Sequence, residues 1–160
     1  MVATWLDAQE RDAWLAFLFT SMLVPAELDK QLQRAGRLSF FDYSVLAHLS
    51  EARDRTRTMS DLAACTSSSL SRLSHVVTKL EKRDWVERSA SAEDGRVTVA
   101  RLTDDGFALL AALAPRHVAR VRELVFDALD ERDVHDLDRV SRKMLANIDE
   151  DHWFFRRDED

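Results

Sequence analysis

Residues 60–106 constrain the fold of this 160-residue chain more than any other stretch. Residues 60–65 read as a short helix with Ser60 as its cap, and residues 66–69, Thr-Ser-Ser-Ser, as a polar break. Residues 70–83 read as a longer helix, because Leu70, Leu73, Val77 and Leu80 recur at helical spacing as one apolar stripe that docks on a core. The opposite face carries Ser71, Arg72, Ser74, His75, Lys79 and Lys82, every one a hydrogen-bond former. A small, polar, cationic helix face after a tight turn is what the DNA major groove accepts. Residues 85–88 then read as a strand, residues 89–96 as a turn with Asp94-Gly95 at its tip, and residues 97–103 as the returning strand. The pattern predicts a helix-turn-helix followed by a two-stranded wing.

Composition agrees with one compact unit. With 46% hydrophobic and 32% charged residues the chain can bury a full core. Three glycines and two prolines leave little room for a sandwich of short strands, so a mostly α protein with a small β wing is expected. No apolar run is long enough to span a membrane, and Met1-Val2-Ala3-Thr4 lacks a basic signal region. The single cysteine, Cys65, excludes an internal disulfide framework and fits a reducing compartment. A cytoplasmic protein is expected. There is no glycine-rich phosphate loop, nucleophile elbow or cysteine pair at metal spacing, and the five histidines are scattered. No catalytic residue, cofactor or metal is expected.

The net charge of −6 looks wrong for a DNA binder until its distribution is considered. Residues 53–101 carry ten basic and seven acidic groups, while both flanks are acidic. Positive charge therefore gathers where the motif lies. Arg53, Arg55 and Arg57 belong to residues 52–58, which read as a solvated connector.

The flanks are helical and too apolar for simple surface helices. Leu18, Met22, Pro25, Leu28 and Leu32 form one stripe, with Leu15, Phe19 and Leu23 beside it. Pro25 is expected to bend this helix, and Pro115 to interrupt the one that Thr103 opens. Ser39 caps a helix through about residue 51 whose Val45, Leu46 and Leu49 face the core. Asp130 caps a last helix, with Asp133 three residues on and an apolar face of Val134, Leu137, Val140, Met144 and Ile148. Two adjacent apolar stripes need two partners, the chain's own core and a second surface. Residues 1–36 and 104–160 are therefore read as a helical dimerisation region, and residues 37–103 as the DNA-binding domain. Trp153-Phe154-Phe155 ahead of Arg156 and Arg157 is expected to pack across the partner subunit.

The chain resembles the multiple-antibiotic-resistance regulator (MarR) family of winged-helix repressors. Asp94-Gly95-Arg96 followed by Leu102-Thr103-Asp104-Asp105-Gly106 fits its D-x-R…L-T-x-x-G wing signature. Residues 59–63 (MSDLA) and 80–88 (LEKRDWVER) match the entry and exit of its helix-turn-helix, and Leu38-Ser39 with Tyr43-Ser44-Val45-Leu46 its preceding helix. Asp84 stands where a glycine usually ends the recognition helix, and Ala100 replaces a larger apolar residue in the wing. The resemblance implies a homodimer on a pseudo-palindromic double-stranded operator. It places DNA contacts at Ser71, Arg72, Ser74 and His75 and on the wing at Arg96; Ser69 and Lys79 of the same segment are further candidate contacts, and Asp94, two residues before Arg96, is placed to orient that guanidinium. It also implies release by a small aromatic effector in a cleft for which Trp14, Phe17, Tyr43 and His48 are candidates.

Two alternatives stand beside this reading. One is a helical protein-interaction module that keeps the winged-helix fold without DNA affinity. The other is a redox-responsive regulator acting through Cys65, although its spacing after Leu62 suits a small core residue.

Overall fold

The computed structural model describes residues 5–156, so the signal-region reading of residues 1–4 and Arg157 lie outside it. Among the described residues, seven α-helices accompany a three-stranded antiparallel sheet. Helix α1 spans Ala8–Gly36, α2 Phe40–Ser50, α3 Met59–Cys65, α4 Leu70–Glu81, α5 Asp104–Leu124, α6 Glu131–Ile148 and α7 Trp153–Arg156. Strands β1 (Thr56–Thr58), β2 (Val86–Ala90) and β3 (Thr98–Leu102) lie in the order β1-β3-β2. None of the described helices is long and apolar enough to cross a membrane.

Caps explain most helix starts. Asp7 with Glu10, Ser39 with Asp42 and Asp130 with Asp133 form reciprocal capping boxes, each satisfying two backbone donors that a helix N-terminus leaves over. Thr103 Oγ1 accepts from the Gly106 N–H at 3.0 Å and starts α5. The helix read as capped by Ser60 begins one residue earlier, at Met59. Thr58 is its cap, its Oγ1 accepting from the Asp61 N–H at 3.0 Å. Thr58 can do this because it ends a strand in extended conformation, a position that the Ser60 reading could not anticipate.

The expected solvated connector is the second correction. β-Branched Thr56 and Thr58 pair with Arg101 and Val99 as β1, so the sheet has three strands. Arg55 lies 3.9 Å from the Phe107 ring centroid and pairs with Asp104, while Arg57 donates to the His48 carbonyl and to Asp61. Those guanidinia hold the sheet to α2, α3 and α5.

Neither proline interrupts its helix. α1 runs unbroken through Pro25 and α5 through Pro115, because neighbouring turns keep their own hydrogen bonds when one donor is missing. Asp84 takes the left-handed conformation (φ 58°) that its position demands, and its carbonyl accepts from Thr103 Oγ1 at 2.6 Å. That bond from the start of α5 fixes the turn that a glycine would have left cheap. Gly106 has a different reason to be glycine: a Cβ there would lie 2.2 Å from the Trp85 carbonyl oxygen.

The core joins Leu32 of α1 to Val45, Leu46 and Leu49 of α2, Leu62 of α3, Leu73, Val77 and Leu80 of α4, Ala100 and Leu102 of β3, and Leu110 and Leu113 of α5. Leu70 does not join them. The α4 stripe outruns the core by one turn and leaves Leu70 54% exposed. On α1 the structure separates what the stripes could not: Leu28 and Leu32 are buried, whereas Leu15, Phe19, Met22 and Leu23 are exposed.

His117 of α5 is buried between Phe40 and Tyr43, with ring centroids 6.0 and 4.2 Å away, and its Nδ1 has no partner. Burial disfavours the imidazolium and lowers its pKa below the usual 6.5; His48 is lowered the same way. The unfolded chain therefore binds more protons than the folded one as pH drops through 6.5, so stability is full above that value and declines below it. His117→Phe keeps the stacking and removes the titration. Its thermal midpoint should fall less between pH 7 and 5 than the parent's, and parallel curves would contradict the assignment.

Candidate nucleic-acid interface

Helix α4 is built to present one face. Leu73, Val77 and Leu80 bury the other side, and Ser69 caps the start by accepting from the Arg72 N–H at 3.2 Å. The turn before it uses Ser67 in a left-handed conformation (φ 46°). Among the described helices of seven residues or more, the other five carry an acidic residue in the first turn, at Glu10, Asp42, Asp61, Asp104 and Glu131. α4 carries none. Its positive dipole end therefore has no acidic side chain of its own first turn to offset it.

The sites expected from the sequence now separate. Ser71, Arg72 and His75 are exposed along α4, Ser69 at its N-terminal cap and Lys82 at its C-terminal cap. Arg72 does not hang free: its guanidinium lies 4.2 Å from the Phe41 ring centroid, within reach of a rearrangement because the side chain remains exposed. Ser74 is half-buried, and its Oγ accepts from Arg88 Nη1 at 3.3 Å. Arg88 also reaches Thr78 and Glu81, so this one arginine ties β2 of the wing to α4. Lys79 ion-pairs with Asp42, whose side chain is 1% exposed. That pair holds α4 to α2.

On the hairpin, Arg96 and Asp94 are both exposed. Asp94 was expected to orient the Arg96 guanidinium. Instead its Oδ1 accepts from the Arg96 backbone N–H at 3.0 Å, an i to i+2 bond that shapes the turn. A short aspartate reaches the nearby amide more easily than the end of a long side chain.

A cavity of about 520 Å³ opens beneath the start of α4, lined by Pro25 and Asp29 of α1, Phe40, Phe41 and His48 of α2, Cys65 and Arg72. Of the four effector candidates only His48 lines it. Trp14 and Phe17 lie exposed on α1 with ring centroids 6.2 Å apart, and Tyr43 is buried against His117. Sequence reasoning missed Phe40 and Phe41, whose signal was two adjacent rings at the start of a helix otherwise turned to the core. Cys65 is buried, its Sγ 4.0 Å from Asp61 Oδ1. The aromatic tail, expected on a partner, packs within the chain. His152 Nε2 lies 3.1 Å from Ser67 Oγ, and the Trp153 ring stands edge-on to His48 at 5.0 Å. The turn after α6 brings α7 back to α3, which local spacing could not reveal.

The sequence model of the MarR family matches residues 38–97. The crystal structure of Sco3205, a MarR family transcriptional regulator from Streptomyces coelicolor in complex with DNA, is 35% identical, with a TM-score of 0.89 over 92% of each chain. The chain belongs to the MarR family. AbsC, a MarR family transcriptional regulator from the same organism, is 36% identical, with a TM-score of 0.87 over 91% of this chain and 98% of that one. The HTH-type transcriptional regulator MhqR of Bacillus subtilis is 32% identical over 80 residues, 50% of this chain and 54% of that protein. The chain spans about half the length of the curated relatives it matches first. These MarR-family relatives are transcriptional regulators, not enzymes.

Proposed function

We propose that this protein is a homodimeric transcriptional repressor that binds a pseudo-palindromic operator and releases it when a small aromatic molecule binds. The observation that carries the reading is α4, whose exposed face holds Ser71, Arg72 and His75, with Lys82 at its C-terminal cap, and whose first turn, unlike those of the other described helices of seven residues or more, lacks an acid. Such a helix lowers its N-terminus into the major groove, with Arg72 as the side chain long enough to pair with a guanine edge. Arg96, exposed on a narrow hairpin, suits the minor groove and reads its width. Ser69 and His75 complete the contacts, whereas Ser74 and Lys79 act through the wing and α2.

Dimerisation belongs to residues 1–36 and 104–160. No residue of α6 is buried, and its Val134, Leu137, Val140, Met144 and Ile148 form an open apolar stripe. The exposed Trp14, Leu15, Phe17, Phe19, Met22 and Leu23 of α1 offer a matching surface. The effector's place is the cavity under α4, where Phe40 and Phe41 offer ring faces and Arg72 a cation. Occupying it would hold Arg72 away from DNA.

Two variants test the base-reading assignment, profiled over an operator library at one salt concentration. Arg72→Ala should flatten preference at one base pair per half-site, a discrimination of about 1–3 kcal/mol. Arg96→Ala should weaken binding broadly and erase preference for A·T-rich flanks. If Arg72→Ala scales all affinities together, Arg72 is a phosphate contact.

A further inference from the structure

We propose that Leu70 reads a thymine, its isobutyl group packing on the C5-methyl in the operator's major groove; the inference rests on the DNA-binding reading above. Leu70 is the first residue of α4 and is 54% exposed, although it continues the stripe of Leu73, Val77 and Leu80, which are wholly buried. The core ends one turn short of it. Its exposed neighbours are Ser69, Ser71 and Arg72, and no carboxylate stands in the turn to repel phosphates. Recognition helices touch base edges with their N-terminal residues, which is where Leu70 sits. A leucine cannot exchange hydrogen bonds with a base. Of the groups that base pairs display in the major groove, the thymine methyl is the apolar one it can cover. Leu70 thereby supplies an apolar element of recognition next to the polar reading by Arg72, and the two side chains, two residues apart, address different base pairs.

Replacing thymidine by deoxyuridine deletes that methyl and nothing else. An operator selected by the parent protein from a random pool is resynthesised with each thymidine replaced in turn. Affinities are measured by fluorescence anisotropy for the parent, Leu70→Ala and Leu70→Gln. One thymine per half-site should matter to the parent, its demethylation weakening binding about fourfold, the worth of one buried methyl. Both variants should be indifferent to the change at that position, and should respond as the parent does at every other. Their thermal midpoints should match the parent's, because Leu70 is outside the core. The proposal is overturned if the parent is indifferent to every methyl, or if all three proteins lose equally at the same base. It is overturned also if the variants only melt earlier with the methyl dependence unchanged, which would make Leu70 a packing residue. A parent that selects no duplex at all defeats the DNA-binding reading itself, and that result is distinct from these.

Discussion

Placing glutamate at both Leu137 and Val140 is expected to turn the proposed dimer into a folded monomer and to lower operator affinity by about 100-fold or more. The two side chains are 45% and 41% exposed on a helix with no buried residue, so the fold of the single chain does not need them. The other side of α6 is already a solvated surface, with Arg139 paired to Asp136 and Arg142 to Asp138. Its apolar stripe is left open to solvent in the single chain. Two half-sites bound by one dimer gain from effective concentration what either module lacks alone, and a monomer forfeits that gain. Sedimentation should show half the parent's mass, with circular dichroism unchanged. A dimer that persists with both glutamates in place would put the interface elsewhere.

Lys79→Met is expected to cost about 1–3 kcal/mol of stability, whatever it does to DNA binding. Asp42 is almost wholly buried, and its carboxylate has two partners, the Ser39 N–H at 2.8 Å and the Lys79 ammonium. Removing the ammonium leaves a buried charge with one hydrogen bond. Because Lys79 is itself 49% exposed, water entering at that edge limits the cost. At this chain length the thermal midpoint should drop by about 3–10 °C. Asp42→Asn in the Lys79→Met protein should recover part of the loss, since it removes the stranded charge and keeps a polar group for Ser39. An unchanged midpoint together with weaker operator binding would restore Lys79 to the phosphate contacts.

Local signals were legible in the sequence because they act over three or four residues. Ser39 with Asp42, Thr103 with Gly106 and Asp130 with Asp133 each place a cap and its partner within one turn, and helical spacing marks the faces of α2, α4 and α6. What escaped depends on chain partners far apart. β1 is three residues long and exists through its pairing with β3, more than forty positions away. Asp42 and Lys79, Phe41 and Arg72, and Ser67 and His152 meet only after the helices have packed. Leu70 shows a subtler limit. Periodicity gives the direction a side chain points, but where the core stops depends on which elements cover that direction. The same holds for α1, whose stripes looked alike although only its C-terminal half meets α2 and α5.

In the proposed function, a protein of net charge −6 engages DNA through α4 and the hairpin. The most direct measurement is the salt dependence of affinity for the operator selected from a random pool. Contacts that release counterions from phosphates make log K fall linearly with log salt, by about 0.9 per phosphate neutralised. The expected result is an inverted repeat with half-sites about one helical turn apart, bound with a steep negative slope that flattens in Arg96→Ala. A parent protein that binds no duplex at low salt, or one whose affinity ignores salt, would contradict it and favour a winged helix that contacts protein instead.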